Sequence, residues 1–114
     1  SPEVWRTPID RPTADLMTQL MIGVVNEGTA KCCMKLAKGI QAAAKTGTAQ
    51  LNAEGEEQRS HAWITAFAPA EAPRVAVAVM LKGVNATISA GTGGTLAGPI
   101  AKVLLDKALR VIPE

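Results

Sequence analysis

The run Ala44-Lys45-Thr46-Gly47-Thr48-Ala49-Gln50 brings an ammonium, two hydroxyls and a stretch of unhindered main chain together. If it is extended, Thr46 and Thr48 point to one face because they lie two apart, and Gly47 has no side chain to hold a ligand away from the backbone. Such an edge can grip an anion. A carboxylate takes charge-assisted hydrogen bonds well, and a peptide can lie alongside as an added strand. A threonine pair by itself is ordinary β propensity, so the chemistry depends on context.

Other chemistry-bearing residues have simpler explanations. Cys32 and Cys33 are the two cysteines. In an extended segment their side chains would point to opposite faces, so an ordinary bridge between them is not expected. Two small, partly buried thiols are the plainer reading, and with no third cysteine the redox compartment stays open. Cys32 and Lys35 mimic a nucleophile with its lysine base, but nothing else supports that pairing. His61, the single histidine, reads as a partly buried residue at a strand start, and Trp63 as core or cleft wall. Gly39 to Thr46 differs from a phosphate-binding P-loop by Ala44 in place of glycine, which makes a nucleotide-binding module a remote alternative. A P-loop needs its Lys-Thr to open a helix, whereas Gly47, β-branched Thr48 and the polar residues 52–60 give no helical stripe. Gly91, Gly93 and Gly94 need be no more than a turn before a helix. No metal site and no cofactor is expected.

These residues sit in a chain of 114 residues that is 47% apolar, enough for one domain with a real core. A net charge of +2 and few aromatic residues argue against nucleic acid as a partner. The least charged stretch, residues 83–101, is interrupted by Asn85, Thr87, Ser89 and Pro99, so it does not read as a membrane span. Ser1-Pro2-Glu3 has neither a methionine nor a basic and apolar leader, which suggests a chain that begins inside a longer protein, with any anchor upstream.

Apolar residues Leu16, Met17, Leu20, Met21, Val24 and Val25 recur at helical spacing between Pro12-Thr13 and Gly28, and predict an amphipathic helix whose methionines fill the core. Residues 29–40 read as an irregular connection or short strand. Strands are predicted over 41–50, 61–68 and 74–81, with 69–73 as the hairpin between the last two. In the second strand His61, Trp63, Thr65 and Phe67 oppose Ala62, Ile64, Ala66 and Ala68, and the small face should admit a helix. Residues 52–60 read as a solvated loop. A closing helix, starting at Thr95 or just before Pro99, carries Leu96, Ile100, Val103, Leu104, Ala108 and Val111. The order helix, three strands, helix predicts an α+β fold, an antiparallel sheet packed against helices.

Taken in order, Gly28-Thr29-Ala30, Lys45-Thr46-Gly47-Thr48-Ala49, His61-Ala62-Trp63 with Phe67-Ala68-Pro69, the Val/Ala strand, and Gly93-Gly94 with Pro99-Ile100 resemble one family across nearly the whole chain. The chain resembles the C-terminal part of the transpeptidase domain of a class B, monofunctional penicillin-binding protein, with a partial β-lactamase-like fold. The Lys-Thr-Gly element is one of that group's three motifs. The resemblance implies an extracytoplasmic peptidoglycan D,D-transpeptidase, anchored by an upstream segment, that cross-links stem peptides and is acylated by β-lactams. It implies that Lys45 supplies positive potential, that Thr46 and Thr48 hydroxyls bind the terminal carboxylate, that Gly47 lets the acyl group approach, and that the Thr48 backbone N–H acts as an oxyanion donor.

The nucleophile's motif is missing. Ser1, Ser60 and Ser89 are followed three places later by Val4, Trp63 and Thr92, so none has the lysine of Ser-x-x-Lys, and none has an asparagine two places on. The fragment should therefore not form an acyl-enzyme alone. Ala44 also departs from the glycine common before the lysine, and the acidic residues of the 52–60 loop carry no assignment. In the family fold, strands and a serine-bearing helix from earlier in the chain complete the sheet. Without them an apolar face would need that partner segment or would self-associate. The alternative is a non-catalytic β-lactam sensor or degenerate penicillin-binding module, which the upstream sequence would distinguish.

Overall fold

The computed structural model describes residues 3–50, 60–84, 88 and 91–112. Helix α1 spans Arg11–Asn26, starting one residue after Asp10, whose carboxylate accepts the Thr13 N–H at 2.9 Å. Pro12 lies in the first turn, where no backbone donor is needed. Main-chain bonds from Glu27 to Gly23 and from Ala30 to Val24 close the other end.

The buried side of α1 differs from the expected stripe. Met21, Val24 and Val25 of that stripe are buried or half-buried, together with Ala14, Thr18, Ile22 and Gly23, whereas Leu16 is 63%, Met17 50% and Leu20 60% exposed. Met17 is therefore not core filler. Ala14 and Thr18 are small enough for close approach, and the Thr18 hydroxyl is satisfied by donating to the Ala14 carbonyl at 2.9 Å.

Residues 27–33 form turns, followed by a short 3-10 helix at Ala37–Gly39 in which Lys38 and Gly39 have φ of 58° and 68°; no strand occurs here. Cys32 and Cys33 are bonded to each other, contrary to the expectation from an extended segment. The turn removes the premise: adjacent side chains no longer alternate between faces, and the two sulfurs meet.

Three strands follow: β1 (Ala43–Gln50), β2 (Ser60–Ala68) and β3 (Val75–Leu81), in the order β1-β2-β3 and antiparallel throughout. The registers pair Thr46 with Ile64 and Lys45 with Thr65, and pair Thr65 in turn with Ala78. One face therefore carries Ala44, Thr46 and Thr48 beside Ala62, Ile64, Ala66 and Ala68. The other carries Lys45, Gly47, Trp63, Thr65, Ala78 and Met80. The loop expected at 52–60 lies outside the described residues except for Ser60, which opens β2 and is buried.

Helix α2 (Gly98–Val111) follows a π-turn at Gly93–Ala97 that is capped reciprocally by Thr92 and Thr95. Ala97, Ala101 and Leu105 are fully buried and cluster with Ile64, Ala66, Ala44, Met34 and Leu36. The small face of β2 does admit a helix. As in α1, bulky residues face away: Val103 is 66% and Val111 64% exposed. Arg74 ties the hairpin to the end of α2 by donating to the Ile112 carbonyl at 3.0 Å. Asp106 accepts from Lys102 Nζ at 2.6 Å and from the Ala37 N–H at 3.0 Å, joining α2 to the 3-10 turn.

Candidate functional site

The start of β1 is fastened on both sides. Asn26 and Gln41 exchange two side-chain amide hydrogen bonds of 3.1 Å each, and the Gln41 carbonyl accepts from the Ala70 N–H at 2.8 Å. From there β1 runs out as an edge strand among the described residues, with β2 on one side only. An edge of this kind presents unpaired main-chain groups.

Lys45 is exposed on the open face, and its Nζ donates to the Thr46 carbonyl at 2.7 Å. Thr46 is half-buried on the helix-covered face and Thr48 is exposed. The ammonium and the two hydroxyls thus leave the strand on opposite faces and converge only along its rim. Thr46 Oγ1 lies 2.6 Å from Thr29 Oγ1, in the turn that follows α1. Among the described residues a Cβ on Gly47 would meet only Trp63 Cβ at 3.6 Å, an ordinary contact, so their packing does not itself demand glycine there. At Gly93 and Gly94 it does. A Cβ on Gly93 would collide with the Trp63 carbonyl and crowd Gly47 N and O, and one on Gly94 would collide with the Thr29 carbonyl. The turn before α2 therefore lies directly on the Gly47–Trp63 ladder pair.

The remaining candidates separate from this rim. His61 Nδ1 accepts the Gly83 N–H at 2.9 Å, bracing β2 against the segment after β3, and the neutral ring then carries its proton on Nε2. Cys32 is bonded to Cys33 and so has no thiolate to pair with Lys35. Lys45-Thr46 lies inside β1 and opens no helix, which removes the P-loop reading. Among the described residues no group of three His, Cys, Asp or Glu side chains could hold a metal. Thr29 was visible in the sequence only as part of Gly-Thr-Ala; its partnership with Thr46 spans 17 positions and needed the fold.

Comparison with known proteins agrees with this architecture. The chain is 39% identical over 108 residues to the peptidoglycan D,D-transpeptidase PbpA of Mycobacterium tuberculosis, covering 95% of this chain and 21% of that protein. It is 38% identical over 110 residues to PbpA of Mycolicibacterium smegmatis, covering 96% of this chain and 22% of the relative. The chain thus spans about a fifth of the length of these relatives. The solved structure of M. tuberculosis penicillin-binding protein A as its ceftriaxone acyl-enzyme complex superimposes with a TM-score of 0.75 at 37% identity, over 92% of this chain and 23% of that one. Residues 1–106 match the penicillin binding protein transpeptidase domain. An α+β sheet with this order and this rim, matched over nearly its whole length, belongs to the penicillin-binding protein transpeptidase family.

Proposed function

We propose that this chain forms the C-terminal portion of a single transpeptidase domain and supplies the carboxylate-binding strand of a peptidoglycan D,D-transpeptidase, with the acylated serine on a segment outside residues 1–114. The observation that carries this is the rim of β1. In a strand the N–H and C=O of one residue point one way and those of the next point the other way. Lys45 reaches the Thr46 carbonyl from the exposed side, so the Thr46 main chain faces the rim, and so does that of Thr48 two residues on.

Each residue then has a role. Lys45 gives the rim positive potential, and the Thr46 and Thr48 hydroxyls bind the terminal carboxylate of a stem peptide or β-lactam. The Thr48 N–H pairs with the N–H of the nucleophilic serine as an oxyanion hole. Losing one such donor typically costs about 10²- to 10³-fold in rate. Gly47, whose hydrogen nothing among the described residues requires, leaves room for the acyl group.

The open face with Lys45, Trp63, Thr65 and Met80 is where the rest of the domain would sit; left bare, it would drive self-association. Such an enzyme works on the extracytoplasmic side of the bacterial membrane, anchored by a segment outside this sequence. The bonded Cys32 and Cys33 support that placement, since disulfides persist in oxidising compartments. No helix among the described residues is long and apolar enough to cross a membrane.

The test is labelling with a fluorescent penicillin. The complete polypeptide should become covalently labelled at one site, whereas residues 1–114 alone should not. Stoichiometric labelling of the isolated chain would overturn the assignment of the nucleophile to another segment. A complete polypeptide that binds penicillin only reversibly would favour a non-catalytic module.

A further inference from the structure

Thr46 Oγ1 and Thr29 Oγ1, 2.6 Å apart, form a short hydroxyl pair in which distance alone allows either to donate. A hydroxyl owns one proton and two lone pairs, while an ionised carboxylate only accepts. If Thr46 gives its proton to Thr29, it has none for a ligand. If Thr29 donates instead, Thr46 accepts from behind and its own proton is free to point along the rim. Hydroxyls linked in this sense also polarise one another, which strengthens the outward bond.

The location of Thr29 suits this task. It sits in the turn after α1, where the Ala30 N–H donates to Val24 O and the Lys31 N–H to Gly28 O, each at 3.1 Å. Its carbonyl is seated against Gly94, at a position no side chain could share. Cys32 Sγ lies 3.8 Å from the Gly94 carbonyl, a packing contact only, because a bridged sulfur has no proton to donate. The backbone of Thr29 is therefore held by the loop and by the turn before α2, which sets its hydroxyl beside Thr46.

We propose that Thr29 is a positioning residue for carboxylate recognition, directing the Thr46 proton toward the ligand by donating its own to Thr46 Oγ1. This rests on the reading of residues 45–48 as the carboxylate-binding rim.

The test measures second-order acylation of the complete polypeptide by benzylpenicillin and by its methyl ester, which lacks the ionised carboxylate. Thr29→Val should slow acylation by the acid about tenfold, the scale of one lost hydrogen bond, and leave the ester rate unchanged. Thr29→Ser should restore the acid rate to within about threefold, since the donor is back. Thr29 is exposed, so its replacement is compatible with folding, and Thr29→Ala gives the same readout should the valine variant not fold. Equal slowing of acid and ester, or no change in either, would overturn the proposal. Thr46→Val separates the two claims: if it abolishes the preference for the acid while Thr29→Val does not, only the role of Thr29 fails. If neither variant alters the preference, the rim assignment itself fails.

Discussion

Ile64 and Thr65 are neighbours on β2, yet they answer to different constraints. Ile64 is wholly buried in a cluster in which alanines such as Ala44, Ala66, Ala97 and Ala101 let the helix lie close, while Met34, Leu36 and Leu105 fill the remaining volume. Thr65 faces the open side, between Lys45 on β1 and Ala78 on β3. One face of the sheet is specified by volume. The other, with the rim beside it, is free to be specified by chemistry, and β1 carries both demands on alternate residues.

Substitutions on the two faces should therefore separate stability from reactivity. Ile64→Ala should lower unfolding free energy by about 2–5 kcal/mol, since a well-packed site collapses poorly around a cavity. Urea denaturation of the complete polypeptide measures this, and a loss no larger than that of Thr65→Ala would mean the faces are not distinct. Lys45→Ala should do the reverse, slowing acylation by a fluorescent penicillin by about 10²-fold or more with an unchanged denaturation midpoint. Unchanged acylation would remove Lys45 from the site.

A smaller effect sharpens the comparison away from the rim. The Lys102 ammonium, with help from the Ala37 N–H and against the cost of partial burial, holds the Asp106 carboxyl below its ordinary value. A carboxyl lowered in the folded state contributes stability that is complete above its unfolded value and is lost as pH falls through the folded one. Wild type should thus exceed Asp106→Ala by about 1–2 kcal/mol at pH 7, and the gap should close as the pH is taken below the usual carboxylate range. A gap that persists in acid would assign the stabilisation to packing.

Much of this was legible in the sequence, for reasons that differ by element. The strands showed themselves because alternation reports the pleat directly, and the observed β1, β2 and β3 begin within two residues of the expected positions. Both helices were also found, but each was rotated relative to the stripe of largest residues. Apolar periodicity identifies an apolar face without saying which face meets the sheet. Against a surface of alanines smaller residues approach closely, Ala14 and Thr18 on α1, Ala97 in the turn before α2 and Ala101 on α2, with Leu105 the large residue that α2 buries. The cysteine pair was misjudged because the argument from alternation holds only in a strand, and residues 27–33 turn. Lys45, Thr46, Gly47 and Thr48 were singled out by local spacing, whereas Thr29 belongs to the same cluster through a contact that no local pattern encodes.

Gly93 settles how far the closing helix can be treated as a separate part. Its lone hydrogen lets the turn before α2 rest on the backbone of Gly47 and Trp63, so that turn acts as a backstop for β1. A chimaera that borrowed its terminal helix from another relative would have to import this glycine and Gly94 as well, or the backstop would push β1 out of line.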